Sequence, residues 1–435
     1  MLGHGLAQVI RFGSNLVLTR LLAPELYGVM SVGYVVVTGL WMFSNVGLNA
    51  GAIKNRRGND PIFLNVTWIV QIAQGTFITL AALIVAVGLR WAQSANLTPI
   101  QSVYSDPQVP LLIAIISAYG IISGFESTRS IWARRHLSLG RLTQIDLGCQ
   151  IATTVFQLIW ASISPSLWTL AGGWLFGAAL RLVLTHTVLP GPPNRFEWDR
   201  AAFREVFDFG KWVFVSSSVS FFLASGDRLL LGAFLDSKTM GQYSVALLLV
   251  SALQEAVMRI VGNVALPALG EVVRDKPAKL AQTLYRIRWP IDVACLLFAG
   301  ALFALGEPVV RILYDNRYAN AGWMLSVLSL TLVATRLTVF DQCLVALGRV
   351  KLLSLLNAVR LVVLFALVPI GHAMFGVHGA VSAVVASALF SGACLLAVQH
   401  RLGLLEVRRE LLALPLFGAG VLLGWLARIV YGQLA

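Results

Sequence analysis

Charge is scarce in this chain. Only 12% of its 435 residues are Asp, Glu, Lys or Arg, against roughly 25% in soluble domains. The shortfall excludes an ordinary water-soluble fold and fits a chain that mostly faces lipid or a neighbouring helix. No soluble stretch is long enough to fold alone. The net charge of +13 is therefore spread over short loops and does not read as a nucleic-acid surface. Cysteine is also sparse. Cys149, Cys295, Cys343 and Cys394 all fall inside apolar runs without paired or metal-ligand spacing, which points to helix packing rather than disulfides or a metal. The six histidines are scattered, and no catalytic constellation accompanies them. No glycine loop leads into Lys-Ser/Thr, so no internal ATPase is expected. Nothing calls for a cofactor or an enzymatic role. The first apolar run is interrupted by Arg11 and lacks a small-residue cleavage site, so it reads as a retained first helix.

What is abundant is apolar sequence. Hydrophobic residues make up 57% of the chain, and the mean hydropathy is +0.78. Thirteen stretches are long enough to cross a bilayer: 1–21, 28–50, 62–89, 109–128, 142–162, 166–189, 209–235, 240–266, 289–313, 322–346, 352–374, 377–399 and 411–431. A span needs about 20 mostly apolar residues. The loops between them are basic at every second turn. Lys54, Arg56 and Arg57 follow the second span, and Arg129, Arg134, Arg135 and Arg141 the fourth. Arg195, Arg200, Arg204 and Lys211 follow the sixth, and Arg274, Lys276, Lys279, Arg286 and Arg288 the eighth. Arg349 and Lys351 follow the tenth, and Arg401, Arg408 and Arg409 the twelfth. The intervening loops carry only Arg90, Lys238, Arg311 and Arg317. Basic loops stay cytoplasmic, so the N-terminus is expected in the cytoplasm. Thirteen spans put the C-terminus outside, unless a fourteenth helix is missing or one span is miscounted.

The chain also repeats itself. Gly28-Val-Met-Ser31-Val32 and Gly241-Gln-Tyr-Ser244-Val245 open two spans at an offset of 213, and Phe125-Glu126 and Phe340-Asp341 lie late in two others at an offset of 215. An even number of spans separates the copies. The expected fold is therefore all-α and polytopic, with two parallel six-helix lobes related by a pseudo-two-fold axis along the membrane normal. The expected boundaries are a first lobe at 1–190, a Pro-rich cytoplasmic linker at 191–208, a second lobe at 209–400 and at least one extra C-terminal helix at 401–435.

Polar residues inside the spans mark where function would lie. His4, Gln8, Arg11, Asn15 and Thr19 form one stripe of the first span, as a 3.6-residue period requires. Asp146, Gln150, Thr153 and Gln157 repeat the pattern in the fifth, and Gln71 and Gln74 lie in the third. Such a stripe lines a hydrated cavity or makes interhelical hydrogen bonds. Ionisable groups at depth cost about 2.5–3.5 kcal/mol each on insertion scales, and this chain has many. Arg20, Asp227, Arg228 and Arg428 lie near span ends and are able to snorkel. Glu255 and Arg259 are one turn apart and are positioned to pair. Arg11, Arg181, Arg336 and Arg360 have no such simple explanation. Excess cation in a cavity suits an anionic ligand, and Arg forks onto phosphate. Glu126, Asp146, Asp227, Glu255, Asp292 and Asp341 are candidates for neutralising these arginines or for binding a coupling ion.

Three passages carry a family resemblance. Leu18-Thr-Arg20-Leu-Leu-Ala-Pro24-Glu25-Leu-Tyr-Gly28 resembles the Arg-x-Leu-x-Pro-Glu-x-x-Gly turn of the polysaccharide transport (oligosaccharide flippase) family, within the multidrug/oligosaccharidyl-lipid/polysaccharide exporter superfamily. Gly226-Asp227-Arg228-Leu-Leu-Leu-Gly232 followed by Gly241-Gln-Tyr243 is similar to that family's entry to its eighth helix, and Ala346-Leu-Gly348-Arg349 to its basic turn. The resemblance implies a central cavity alternating between two sides of a bacterial inner membrane. It implies transfer of a polyprenyl-pyrophosphate-linked oligosaccharide to the outer leaflet for polysaccharide assembly, with membrane lipids and a polymerase as partners. The pyrophosphate would then sit on Arg11, Arg181, Arg336 and Arg360, and the sugars among Gln8, Asn15, Gln71, Gln150 and Gln157. A cation-coupled multidrug exporter is the alternative on the same fold. A membrane polymerase or glycosyltransferase ranks last, because the longest outer loop holds only Arg90 and Asp106 as charged groups.

Overall fold

A computed structural model describes residues 2–54, 57–99, 101–136 and 138–434. Among the described residues there are helices and turns but no strands. Hydrocarbon offers no partner for a free N–H or C=O, and a helix satisfies both within one segment. The helices are α1 (Leu2–Leu21), α2 (Pro24–Lys54), α3 (Pro61–Ser94), α4 (Gln108–Gly124), α5 (Arg129–Arg135), α6 (Leu139–Ile163), α7 (Leu167–Thr187) and α8 (Arg200–Phe234). They continue as α9 (Ser237–Ile260), α10 (Leu266–Asp275), α11 (Leu280–Leu313), α12 (Ala321–Ser329), α13 (Thr331–Thr335), α14 (Thr338–Ala346), α15 (Val350–Arg401) and α16 (Val407–Leu434). The chain thus has an all-α polytopic membrane fold. Every expected span is helical, though not every one is a single unbroken helix. Seven helices among the described residues are apolar and long enough to span by length and composition, and eight if the bent pair α4–α5 crosses as one.

Three of the breaks have local causes. α4 and α5 meet at 58°. A π-helical turn at Val261–Ala265 joins α9 to α10, whose first turn holds Pro267. α15 has 52 residues, about 78 Å at 1.5 Å per residue, more than twice a hydrocarbon core of about 30 Å. It turns at Phe375 and Gly376, and Gly376 adopts φ 59°. That left-handed conformation costs a residue with a Cβ but not glycine. The expected spans 352–374 and 377–399 are the two arms of this one element.

The chain divides into two compact units, Met1–Met240 and Gly241–Ala435. The sequence places the boundary at 191–208. In the structure α8 belongs to the first unit because it packs along α2 and α3. Its first turns insert Ala202 and Val206 among Phe63, Leu64, Val66 and Ile131. The segment before it is tied down as well. The Asn65 amide donates to Glu197 at 2.9 Å, the Ser127 hydroxyl donates to Asn194 at 2.6 Å, and the Arg129 guanidinium donates to backbone carbonyls of His186, Leu189 and Pro192. A Pro-rich segment with this many hydrogen bonds is part of the unit and not a free tether.

In the second unit α11 packs against α16 more extensively than any other pair. The expected extra helix is therefore a core partner. Glycines permit the approach: a Cβ on Gly300 would stand 2.2 Å from the Phe417 carbonyl oxygen, and one on Gly420 2.4 Å from that of Leu297. Small residues bring helix backbones together in this way where no hydrophobic drive separates lipid from protein. α2 and α9 open at Pro24 and Ser237, which preserves the 213-residue offset of the repeated motif. Cys149, Cys295 and Cys343 are buried and unpaired.

Candidate functional site

The first unit gathers its charges around Arg181 of α7. Glu126 is held in the bend between α4 and α5, where its Oε1 accepts from Arg181 Nε at 3.0 Å. Asp146 of α6 accepts from Nη1 of the same guanidinium. The cluster carries one positive and two negative charges. Arg181 is thus a bridge tying three helical segments together, with both sides of its fork already met by carboxylate. An incoming phosphate at this position would have to displace an acid.

The second unit holds a deeper network. Arg288 of α11 is wholly buried. Its Nε donates to Asp292 at 3.0 Å one turn on, and its Nη2 to Glu410 of α16. Arg336, in the break between α13 and α14, sits 3.4 Å from Asp292 and 3.0 Å from Glu410 through its two terminal nitrogens. The Tyr285 hydroxyl donates to Glu410 at 2.8 Å, and the Gln399 amide donates to Tyr285 at 3.1 Å. The Arg288 guanidinium stacks 4.7 Å over the Tyr285 ring. Two guanidiniums and two carboxylates cancel. Burying such charges is tolerable only when each is paired and hydrogen-bonded; here every charge is paired, while Asp292 Oδ1, Glu410 Oε2 and the Nε and Nη1 of Arg336 make no hydrogen bond. The sequence reading singled out Arg336 and Asp292 but assigned Arg288 to a basic loop and passed over Glu410. The i,i+4 spacing of Arg288 and Asp292 was the available signal.

The expected polar residues separate into two groups. Gln71 is buried, and its amide donates to the carbonyls of Ser123, Gly124 and Glu126 at 3.0–3.2 Å, closing the C-terminal end of α4. Gln157 is buried too, donates to the Leu170 carbonyl at 3.3 Å and fills the space a Cβ on Gly173 would need. Both are interhelical connectors. Gln8, Asn15 and Gln150 are partly exposed and Arg11 is exposed; the Asn15 side-chain oxygen itself is buried without a hydrogen-bond partner. The side chain of His4 lies outside the described residues. On α15, Arg360 is exposed and acts electrostatically on Asp341 of α14. Asp227 and Glu255 are partly buried on α8 and α9.

At the foot of α3 and α8 a third set of charges caps helices. Asp60 caps α3 by accepting from Ile62 N–H, and Asp199 caps α8 by accepting from the N–H groups of Ala201 and Ala202. Arg57 bridges them at 2.8 Å and 3.3 Å. The Arg57 hydrogen bond holds the Asp60 carboxyl below its ordinary value. The two backbone N–H groups, and then Arg57, do the same for Asp199. Anionic caps suit helix N-termini.

Comparison with known proteins gives these features a setting. The family model described as "Polysaccharide biosynthesis protein" matches residues 17–323. The chain is 23% identical over 330 residues to the succinoglycan biosynthesis transport protein ExoT of Rhizobium meliloti, covering 74% of this chain and 62% of that one. It is 24% identical over 237 residues to the amylovoran biosynthesis protein AmsL of Erwinia amylovora, covering 53% and 60%. The chain therefore spans about three fifths of the length of these relatives. Among solved structures, the fold resembles the lipid II flippase MurJ in an inward closed conformation, with a TM-score of 0.72 at 11% identity over 99% of this chain and 92% of that one. It also resembles an inward-facing multidrug resistance transporter of the MATE family, with a TM-score of 0.69 at 10% identity over 91% and 94%.

Proposed function

Since the chain belongs to the polysaccharide biosynthesis protein family, we propose that it is a flippase for a polyprenyl-pyrophosphate-linked oligosaccharide. It carries the loaded lipid from the cytoplasmic to the outer leaflet of the bacterial inner membrane, with its own N-terminus in the cytoplasm. The observation that carries this reading is the polar face of α1, where Gln8, Arg11 and Asn15 follow one another at helical spacing. Polar and ionisable side chains at membrane depth are costly to turn towards lipid. A face of this kind serves a hydrated passage, through which a charged headgroup can cross while its prenyl tail stays in lipid. Relatives named for succinoglycan transport and amylovoran biosynthesis, and a fold shared with a lipid II flippase, support the same substrate class.

In this reading Arg11 receives the pyrophosphate, and Gln8, Asn15 and Gln150 receive sugar hydroxyls. Arg181 and Arg336 hold helices in place through Glu126, Asp146, Asp292 and Glu410, and Gln71 and Gln157 do the same through backbone carbonyls. Asp227, Glu255 and Asp341 are the acids this reading assigns to a coupling ion. The passage opens in turn to each side of the membrane. A polysaccharide polymerase is the natural consumer of the delivered lipid.

One observation favours a second reading, a cation-coupled multidrug exporter. Two carboxylates, Glu126 and Asp146, face the single guanidinium of Arg181, with Arg134 acting on Glu126 from further away, and a pair of acids suits a cation. A strain lacking the protein separates the two. Under the flippase reading, glycan-loaded polyprenyl pyrophosphate accumulates out of reach of an outer-face probe, and restoring the gene releases it. Normal delivery of loaded carrier to the outer leaflet, with drug sensitivity as the defect, establishes the exporter. Normal delivery with unpolymerised glycan establishes a polymerase.

A further inference from the structure

Three side chains in the first unit share a feature that the function above does not use. Arg228 of α8 lies with its guanidinium carbon 4.5 Å from the centre of the Tyr34 ring of α2. The Tyr34 ring in turn stands 5.9 Å from the Trp174 ring of α7, tilted by 58°. Tyr34 is 40% exposed, and Arg228 and Trp174 are partly exposed. The three residues come to one level. The start of α2 touches the start of α9, just past the end of α8, since a Cβ on Gly28 would collide with the Ser237 backbone. Tyr34 and Arg228 are each within about three helical turns of that end, roughly 9–15 Å along the helix. Trp174 is about two turns into α7.

Their polar atoms have no partner. Among the described residues, Arg228 meets no carboxylate and donates no hydrogen bond. The Tyr34 hydroxyl and the Trp174 indole N–H likewise have no hydrogen-bond partner. This differs from the other deep arginines. Arg181, Arg288 and Arg336 each face two carboxylates. A guanidinium within a membrane-spanning bundle is costly unless something meets its charge. The ring beneath the guanidinium carbon supplies part of that, about 0.5–2 kcal/mol, without engaging its N–H groups in hydrogen bonds.

We propose that Tyr34, Trp174 and Arg228 form a subsite for a glycosyl phosphate, with the phosphate on the Arg228 fork and the adjoining sugar against the two aromatic rings. The chemistry of each group fits its share. A guanidinium placed over an aromatic ring offers N–H donors to two phosphate oxygens. Tyr and Trp present an apolar face to the C–H face of a sugar and a donor to its hydroxyls. The subsite rests on the flippase reading and adds to it the place where the first sugar joins the phosphate. Arg228 lies near a span end, where snorkelling would also account for a lone arginine. Snorkelling does not account for the guanidinium lying over the Tyr34 ring with the Trp174 ring beside it.

The test uses the full chain in lipid nanodiscs and two radiolabelled probes, farnesyl pyrophosphate and its glucosylated form. Wild type is expected to bind both, the glucosylated probe more tightly. Arg228→Ala and Arg228→Lys are expected to weaken both probes by about tenfold or more, as loss of a charge-assisted pair does. Tyr34→Phe and Trp174→Phe keep the rings and the fold. They are expected to weaken only the glucosylated probe, by about threefold to tenfold. Wild-type binding that all four variants retain overturns the subsite and leaves the flippase reading standing. Equal losses on both probes in the two Phe variants overturn the sugar assignment. A wild-type chain that binds neither probe overturns the flippase reading and the subsite with it.

Discussion

Replacing Arg336 by Met tests what the buried network of the second unit is for. Arg336 is nearly inaccessible, and its two terminal nitrogens face Asp292 at 3.4 Å and Glu410 at 3.0 Å. Methionine fills most of the volume and removes the charge. Arg288 then remains alone against two carboxylates, leaving one buried negative charge without a counterpart. Removing one member of a buried ion pair costs about 3–5 kcal/mol. For a unit of roughly 200 residues, each kcal/mol lowers Tm by about 2–4 °C, so a drop of about 6–20 °C is expected. The same substitution combined with Glu410→Gln restores neutrality and keeps an acceptor for the Tyr285 hydroxyl. The double variant is expected to regain more than half of the lost Tm, because the remaining charges are the adjacent pair Arg288 and Asp292. Fluorescence-detected thermal unfolding in detergent reads both variants. Unchanged Tm for Arg336→Met together with abolished glycan delivery would refute the reasoning, since Arg336 would then act on substrate and not on α16.

Other consequences follow from the same geometry. Gln71→Leu removes the amide that reaches three carbonyls at the end of α4, of which Ser123 keeps a backbone donor, and is expected to cost about 1–3 kcal/mol, measured as Tm, with delivery per folded molecule unchanged. Gly300→Val drives a side chain into the Phe417 carbonyl and is expected to loosen α16 by about 1–3 kcal/mol or more, seen as faster deuterium exchange along α11 and α16. Asp60 and Asp199 both have carboxyl pKa values held low in the folded chain. Their stabilisation is therefore complete above the ordinary carboxylate range and is lost as pH falls through the lowered folded values. Deuterium exchange at the first turns of α3 and α8 is expected to rise only below that range, and Asp199→Asn to abolish the pH dependence at α8. Arg11→Ala is expected to stop glycan delivery with normal abundance, judged by immunoblot beside the outer-face probe.

How much of this was readable in advance depends on the range of the interaction. The positions of the helices were readable because their cause is local. Apolar runs of membrane length, stopped by Pro, Gly and basic turns, leave the backbone one solution. The non-helical turn at Phe375 and Gly376 was not readable, whereas the two arms of α15 that it joins were, for the same reason, as the runs 352–374 and 377–399. The unit boundary was less so. Residues 191–208 look like a linker, yet Asn65, Ser127 and Arg129 hold that segment in place from positions about 60 to 130 residues away.

The polar residues show the same division more sharply. A period of 3.6 put Arg11, Asn15 and Gln8 on one face of α1, and identified Arg181 and Arg336 as arginines needing an explanation. It was silent on what each face would meet. Arg181 is separated by 55 residues from Glu126, and Arg288 by 122 from Glu410. Gln71 and Gln157 were indistinguishable from cavity-lining amides until their carbonyl partners were known. The sequence by itself determined an all-α membrane chain and which of its residues sit at costly depth, because helix period and transfer energy act over one segment at a time. Only the tertiary structure decided which charges are cancelled and which donors stay open, because pairing depends on the juxtaposition of segments far apart in the chain.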